Sequence, residues 1–213
     1  MARELNSPET GSRDLLERYA SGDRIFRGEN WRGAFYANAN LANADLSRTN
    51  FAFANLSNAI LIGAILDQAD LSGTDLQGAN LIGVSLVGAR LIATRMSYAK
   101  MLAADLTGAN MSAGNLYGSS LVFSLFVGAK LMGVDASNAN FAQADLTNVD
   151  LRNANLQSTC FTGANLKDAN FTRANLAGAD FSGAINLTPS QVVSAVNWQL
   201  AKYDKEFQQL LPA

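Results

Sequence analysis

Asn and Asp recur through the middle of this chain at a spacing that invites a chemical reading. Stepping by five from Ile25 to Asp180, 20 of 32 positions are Asn or Asp. Paired carboxylates serve acid–base catalysis, and clustered oxygens can hold a metal. Both readings are weak here, because the residues recur with a repeating unit and no pair stands apart. The chain has no histidine, so a candidate nucleophile lacks its usual base. Cys160 is the only cysteine, which excludes an internal disulfide and argues against zinc or iron–sulfur sites. Its glycines are corner residues and form no phosphate-binding loop. No catalytic residue, metal ligand or cofactor is expected, and the chain reads as a non-enzyme.

The element that carries these residues is five long. From Phe26 to Phe181 the central position is Leu 19 times, Phe seven times and Met three times, with Trp31, Tyr36 and Ala136 completing the 32. Two residues earlier, from Ala34 onward, stands Ala or another small residue. Two residues later, 20 of the 32 positions are Gly or Asn. In an extended segment the large and small positions share a face, and together they fill a narrow core. Gly or Asn at the last place fits the positive φ of a type II turn. A helix fits poorly, since five residues advance about 140° and would scatter the Leu around its axis. Short sides and regular corners imply stacked coils joined by backbone ladders. Pro8, Pro189 and Pro212, the only prolines, all lie outside the repeats, where no ladder N–H is lost.

The pattern, seen plainly in ANLKDANFTRANLAGADFSGA at residues 164–184, resembles that of the pentapeptide-repeat family. The resemblance implies an all-β solenoid: a right-handed, four-sided parallel β-helix of about eight coils, 20 residues per coil, with short α-helical caps at both ends. Residues 1–23 are expected to form a tail and capping helix, 24–184 the β-helix and 185–213 a helical cap. Ala136, small for a central site, would face Phe126 across the core. At the N-terminal end, SRDLLERYASG predicts a helix with Leu15, Leu16 and Tyr19 on one side and Gly22 as its stop. At the other end, Thr188-Pro189-Ser190-Gln191 reads as a capping box. Val192, Val196, Leu200, Tyr203, Phe207 and Leu210 then follow at helical spacing, with Asp204 as a divider.

The surface carries the remaining information. With 16 basic and 18 acidic residues there is no polyanion-binding signature, so direct nucleic-acid binding is not expected. No apolar run is long enough to insert in a membrane and the N-terminus lacks an apolar signal region, so a cytoplasmic location is expected. Arg90, Arg95 and Lys100 replace Asn or Asp in three successive units, with Lys130 two coils above Arg90. They form a candidate basic belt. Residues 20 apart also stack an apolar stripe: Ile62, Ile82, Leu102 and Val122, with Ile60 and Phe123 beside them. Around the next corner come Ile65, Val87, Leu125 and Val127. Patches of this kind mark contact surfaces, although β-branched residues also favour exposed strands. The expected partner is another protein, and a second copy is a candidate through the stripe or the C-terminal helix. The resemblance implies an alternative as well: some members of the family mimic duplex DNA and bind type II topoisomerases such as gyrase.

Overall fold

Each five-residue unit closes on itself. The carbonyl of the central residue accepts the N–H of the residue three further on, as in Ala44 N to Leu41 O at 3.2 Å and Ala89 N to Leu86 O at 3.0 Å. Between them the residue two past the centre has positive φ, from 70° at Gly28 to 66° at Gly183. This is the type II corner that Gly and Asn foretell. The structure, a computed structural model, describes residues 8–212.

Four such corners make one coil. Residues 20 apart pair in parallel from Ile25 with Asp45 up to Asn165 with Ile185. The central N–H donates upward, Leu61 N to Asn80 O at 2.8 Å, and the preceding N–H donates downward, Ile60 N to Ala39 O at 2.8 Å. Each side contributes a single bridged residue, too short for an extended strand, and the whole is a right-handed quadrilateral β-helix. In chain order the first side carries Phe26, Leu46 and their equivalents, the second Trp31, the third Tyr36 and the fourth Leu41.

Central and small residues point inward and are buried along the whole rod. Inward hydroxyls bond to backbone carbonyls, as Thr74 Oγ1 does to Phe51 O at 2.8 Å, so they cost the core little. Ala136 and Phe126 are both fully buried on opposing sides of one coil. Phe141, Phe161 and Phe181 stack along the fourth side at 5.5 and 5.0 Å, and Tyr203 extends the column at 5.5 Å.

The two open ends are closed differently. Helix α1 (Pro8–Ala20) begins a turn earlier than the sequence suggests, with proline in its first turn. It lays Leu15 over the first coil. Arg18 Nη1 reaches Glu29 Oε2 at 2.9 Å and its guanidinium lies 4.8 Å from the Phe26 ring centre. Gly22, at φ 109°, ends the helix as expected. Residues 1–7 of the expected tail lie outside the described residues.

The C-terminal segment departs from its helical spacing. The Thr188 capping box forms and opens α2 (Pro189–Val193), but the helix stops after five residues. A 3₁₀ turn (Trp198–Leu200) and α3 (Lys205–Gln208) follow, with Asp204 at the start of α3. The last coil leaves unpaired backbone groups, and these outweigh helix propensity. Val196 pairs with Asn175 and Lys202 with Asp180, so the tail forms an irregular further rung. On the second side, where no rung forms, Gln191 Nε2 donates to Leu166 O and Ala169 O at 2.8 and 2.9 Å.

Because Leu106 is fully buried mid-rod, Leu106→Ala should cost about 2–5 kcal/mol in chemical denaturation. A loss under about 1 kcal/mol would place the residue outside a packed core.

Candidate protein-contact surface

The Asn and Asp ladder is occupied by structural bonds. Where Asn or Asp precedes a centre, its side-chain oxygen accepts the backbone N–H two residues on, which opens the corner: Ala42 N to Asn40 at 3.1 Å, Ser57 N to Asn55 at 2.9 Å, Thr147 N to Asp145 at 3.0 Å. Such local bonds are what Asn and Asp supply at turns. Some amides also bond between coils, Asn155 Nδ2 to Asp135 at 3.0 Å for example. Among the described residues no group of three acidic or thiol side chains gathers as a metal site would require.

The basic belt is partly neutralised from the coil below. Arg95 Nη2 lies 2.9 Å from Asp75 and Arg90 Nε 3.9 Å from Asp70. Lys100 and Lys130 make no ion pair within 4.0 Å among the described residues; the Asp150 carboxyl is held low mainly by its hydrogen bond from Arg152, with Lys130 adding a smaller pull. The four cations sit on three different sides and form no continuous patch. A stronger pair lies near the N-terminal end, where Arg27 contacts Asp45 and holds its carboxyl down at about 2.

The residues of the stripe lie on and around the first side. The column Ile62, Ile82, Leu102 and Val122 occupies the corner turn itself, rather than the flat of a side as sequence stacking suggests, because the two residues after each centre form the turn. Ile65 and Leu125 stand in the middle of the first side, and Val87 and Val127 on its far corner. Ile60 is mid-side on the fourth. Ile60, Ile62, Ile65, Leu102, Phe123 and Leu125 are exposed, whereas Ile82, Val87, Val122 and Val127 are half-buried between their neighbours.

Ile60, Ile65 and Leu125 stand where the ladder favours Asn or Asp, so each forgoes the corner bond. An apolar residue there sacrifices a hydrogen bond typically worth about 1 kcal/mol. Phe123 carries a second local cost. It is 59% exposed and held at φ 59°, a region that costs a bulky residue about 1–2 kcal/mol.

Two other corner aromatics escaped the stacking of outward residues. Phe53 and Tyr98 also have positive φ and are exposed. Their signal was a bulky residue in a Gly/Asn slot. Both are engaged within the chain: Arg32 lies 4.4 Å over Phe53, and Tyr98 meets Tyr117 edge-on at 5.4 Å. Their rings also fold across the glycine one coil up, where a Cβ on Gly73 or Gly118 would come within 2.8 or 2.9 Å. Phe123 has no aromatic or cationic ring contact among the described residues. It is left facing solvent beside the stripe.

A rigid stack of coils whose Asn and Asp ladder is taken up by structural bonds defines a repeat solenoid. This chain belongs to the pentapeptide-repeat family: the family described as pentapeptide repeats (8 copies) matches in overlapping segments from 37–73 to 150–185. HetL from the cyanobacterium Nostoc sp. strain PCC 7120, a pentapeptide-repeat protein involved in heterocyst differentiation regulation, is 29% identical. The match covers 85% of this chain and 92% of HetL with a TM-score of 0.51. QnrB1, a plasmid-mediated fluoroquinolone resistance protein, is 19% identical over 88% of this chain and 86% of its own, with a TM-score of 0.39. Rfr23 from the cyanobacterium Cyanothece 51142 is 23% identical over 71% and 93%, with a TM-score of 0.33. No curated protein matches by sequence. No helix among the described residues is long and apolar enough to cross a membrane.

Two outcomes follow from the local costs. Phe123→Gly should raise stability by up to about 1 kcal/mol in denaturant melts through relief of its φ; a clear loss would mean that the ring packs usefully in the isolated chain. Asp45 has a folded pKa of about 2, below the ordinary value near 3.9, so its contribution is full above pH 4 and fades as pH falls toward 2. Thermal melts of Asp45→Asn should therefore fall less steeply than wild type between pH 4 and 2.

Proposed function

We propose that this chain is a cytoplasmic, non-enzymatic scaffold that binds a protein through the apolar stripe around its first side. The observation that carries this reading is the substitution of Ile60, Ile65 and Leu125 into positions that favour Asn or Asp. There the chain gives up corner hydrogen bonds and presents exposed apolar side chains. The strained, solvent-facing Phe123 beside them adds to it. HetL, described as taking part in the regulation of differentiation, offers a precedent for a regulatory member of this fold.

The alternative is duplex mimicry directed at gyrase. It requires a dense negative surface in place of phosphates. Residues 26–185 carry 11 acidic and 10 basic side chains, and Asp75 is paired with Arg95. That near balance favours the scaffold.

Replacing Ile82 and Leu102 together by Thr should leave the melting curve almost unchanged while lowering recovery of the bound protein in a pull-down. Unchanged recovery would move the contact surface off the stripe. Inhibition of purified gyrase in a supercoiling assay would favour mimicry instead.

A further inference from the structure

We infer that the protein bound by the stripe is a second copy of this chain, docked first side to first side with the two rods antiparallel. The inference rests on the stripe being a contact surface and adds the identity and register of its occupant.

The register follows from the order of residues up the side. Ile65, Ser85, Asp105 and Leu125 are successive rungs of one bridged column. Both ends are apolar and the centre is polar. A two-fold axis across the rod, midway between Ser85 and Asp105, sets Ile65 against Leu125 of the second copy and Ser85 against its Asp105. The same axis sets Ile62 against Val122 and Ile82 against Leu102 along the corner, so the apolar column meets itself. Asp67 falls at the rim opposite Val127, with its Oδ1 already bonded within its own chain to Ser85 Oγ and Val87 N.

A parallel arrangement is self-defeating. A two-fold axis along the rod would set Asp105 directly against Asp105, and like charges in contact repel. Asp105 makes no ion pair within 4.0 Å in its own chain among the described residues, so nothing there would relieve the repulsion. An isologous contact needs a self-complementary surface, and the antiparallel register supplies one. At its edge Asp45 approaches Asp145 of the second copy, but Asp45 brings the cation of Arg27 with it.

Area bears on the same point. Ile65 and Leu125 remain 39% and 43% exposed, and Phe123 59%. Four coils at about 4.8 Å per rung make this face about 19 Å tall, a contact smaller than the roughly 800 Å² per partner of a standard interface, so the expected dimer is a weak one.

The decisive experiment uses charge at residues too far apart to pair within one chain. Ile65 and Leu125 are three rungs, about 14 Å, apart. Wild-type chain should sediment as a dimer at micromolar concentration. Ile65→Lys and Leu125→Glu should each raise the dissociation constant at least about tenfold, by burying an unpaired charge. Mixing the two variants should restore a dimer, because one interface contact becomes Lys against Glu and the other remains Leu against Ile. Circular dichroism melts of each variant confirm that the fold is kept; if either variant unfolds, Ile65→Arg with Leu125→Asp replaces the pair. A dimer that neither variant weakens, or a mixture that stays monomeric, overturns the antiparallel register. A monomeric wild type whose Ile82→Thr/Leu102→Thr form still loses a bound protein overturns self-pairing and leaves the scaffold reading intact. A monomeric wild type indifferent to those substitutions overturns both.

Discussion

The molecule depends on one recurring constraint, the residue held at positive φ two places after each central side chain. With it the chain turns, the three-residue hydrogen bond closes, and the next side starts in register with the coil below. Without it neither the inward alternation nor the ladder between coils could persist. Gly meets the constraint without strain, and Asn nearly so. The remaining residues at this place do so at a local cost that the stacked neighbours must offset. A solenoid of this kind distributes its stability over many equivalent contacts between adjacent coils, so single strained corners are tolerated.

The repeat makes the core legible in the sequence alone. Leu, Phe and Met at every fifth place can only be a buried row, and Gly or Asn two places later can only be a corner. The outward chemistry was less transparent. Asn and Asp read as a polar surface, whereas in the fold their oxygens open the corners, as Asn40 does for Ala42. The stripe was visible as a set of residues, but its shape was not. Five-residue periodicity does not say which outward residue lies mid-side and which lies on the turn. Phe53 and Tyr98 occupy places that prefer Gly or Asn, so the repeat itself gives no reason to expect a ring there. The tail misled for a different reason. Its helical spacing from Val192 to Leu210 is real, but the backbone edge of the last coil, invisible in a local window, claims Val196 and Lys202 for itself.

That competition explains how the rod ends. The first coil is closed by a helix that brings apolar side chains and an arginine over the opening. The last coil is closed by a segment that follows the ladder on the first, third and fourth sides and supplies a glutamine amide on the second. An open sheet edge would recruit other chains indiscriminately.

The five-residue unit and the 20-residue coil set two different tolerances. Gaining or losing five residues preserves every inward position and every corner, so the fold absorbs it. All residues beyond the change are nevertheless carried round by a quarter turn. Ile62 and Ile82 would then sit below polar positions from a neighbouring side, and a continuous face would become a staircase. Only a whole coil keeps the outward columns in phase. In this protein the core is indifferent to rotation while the surface is not, so variation in length that the fold permits freely is open to a binding face only in steps of twenty.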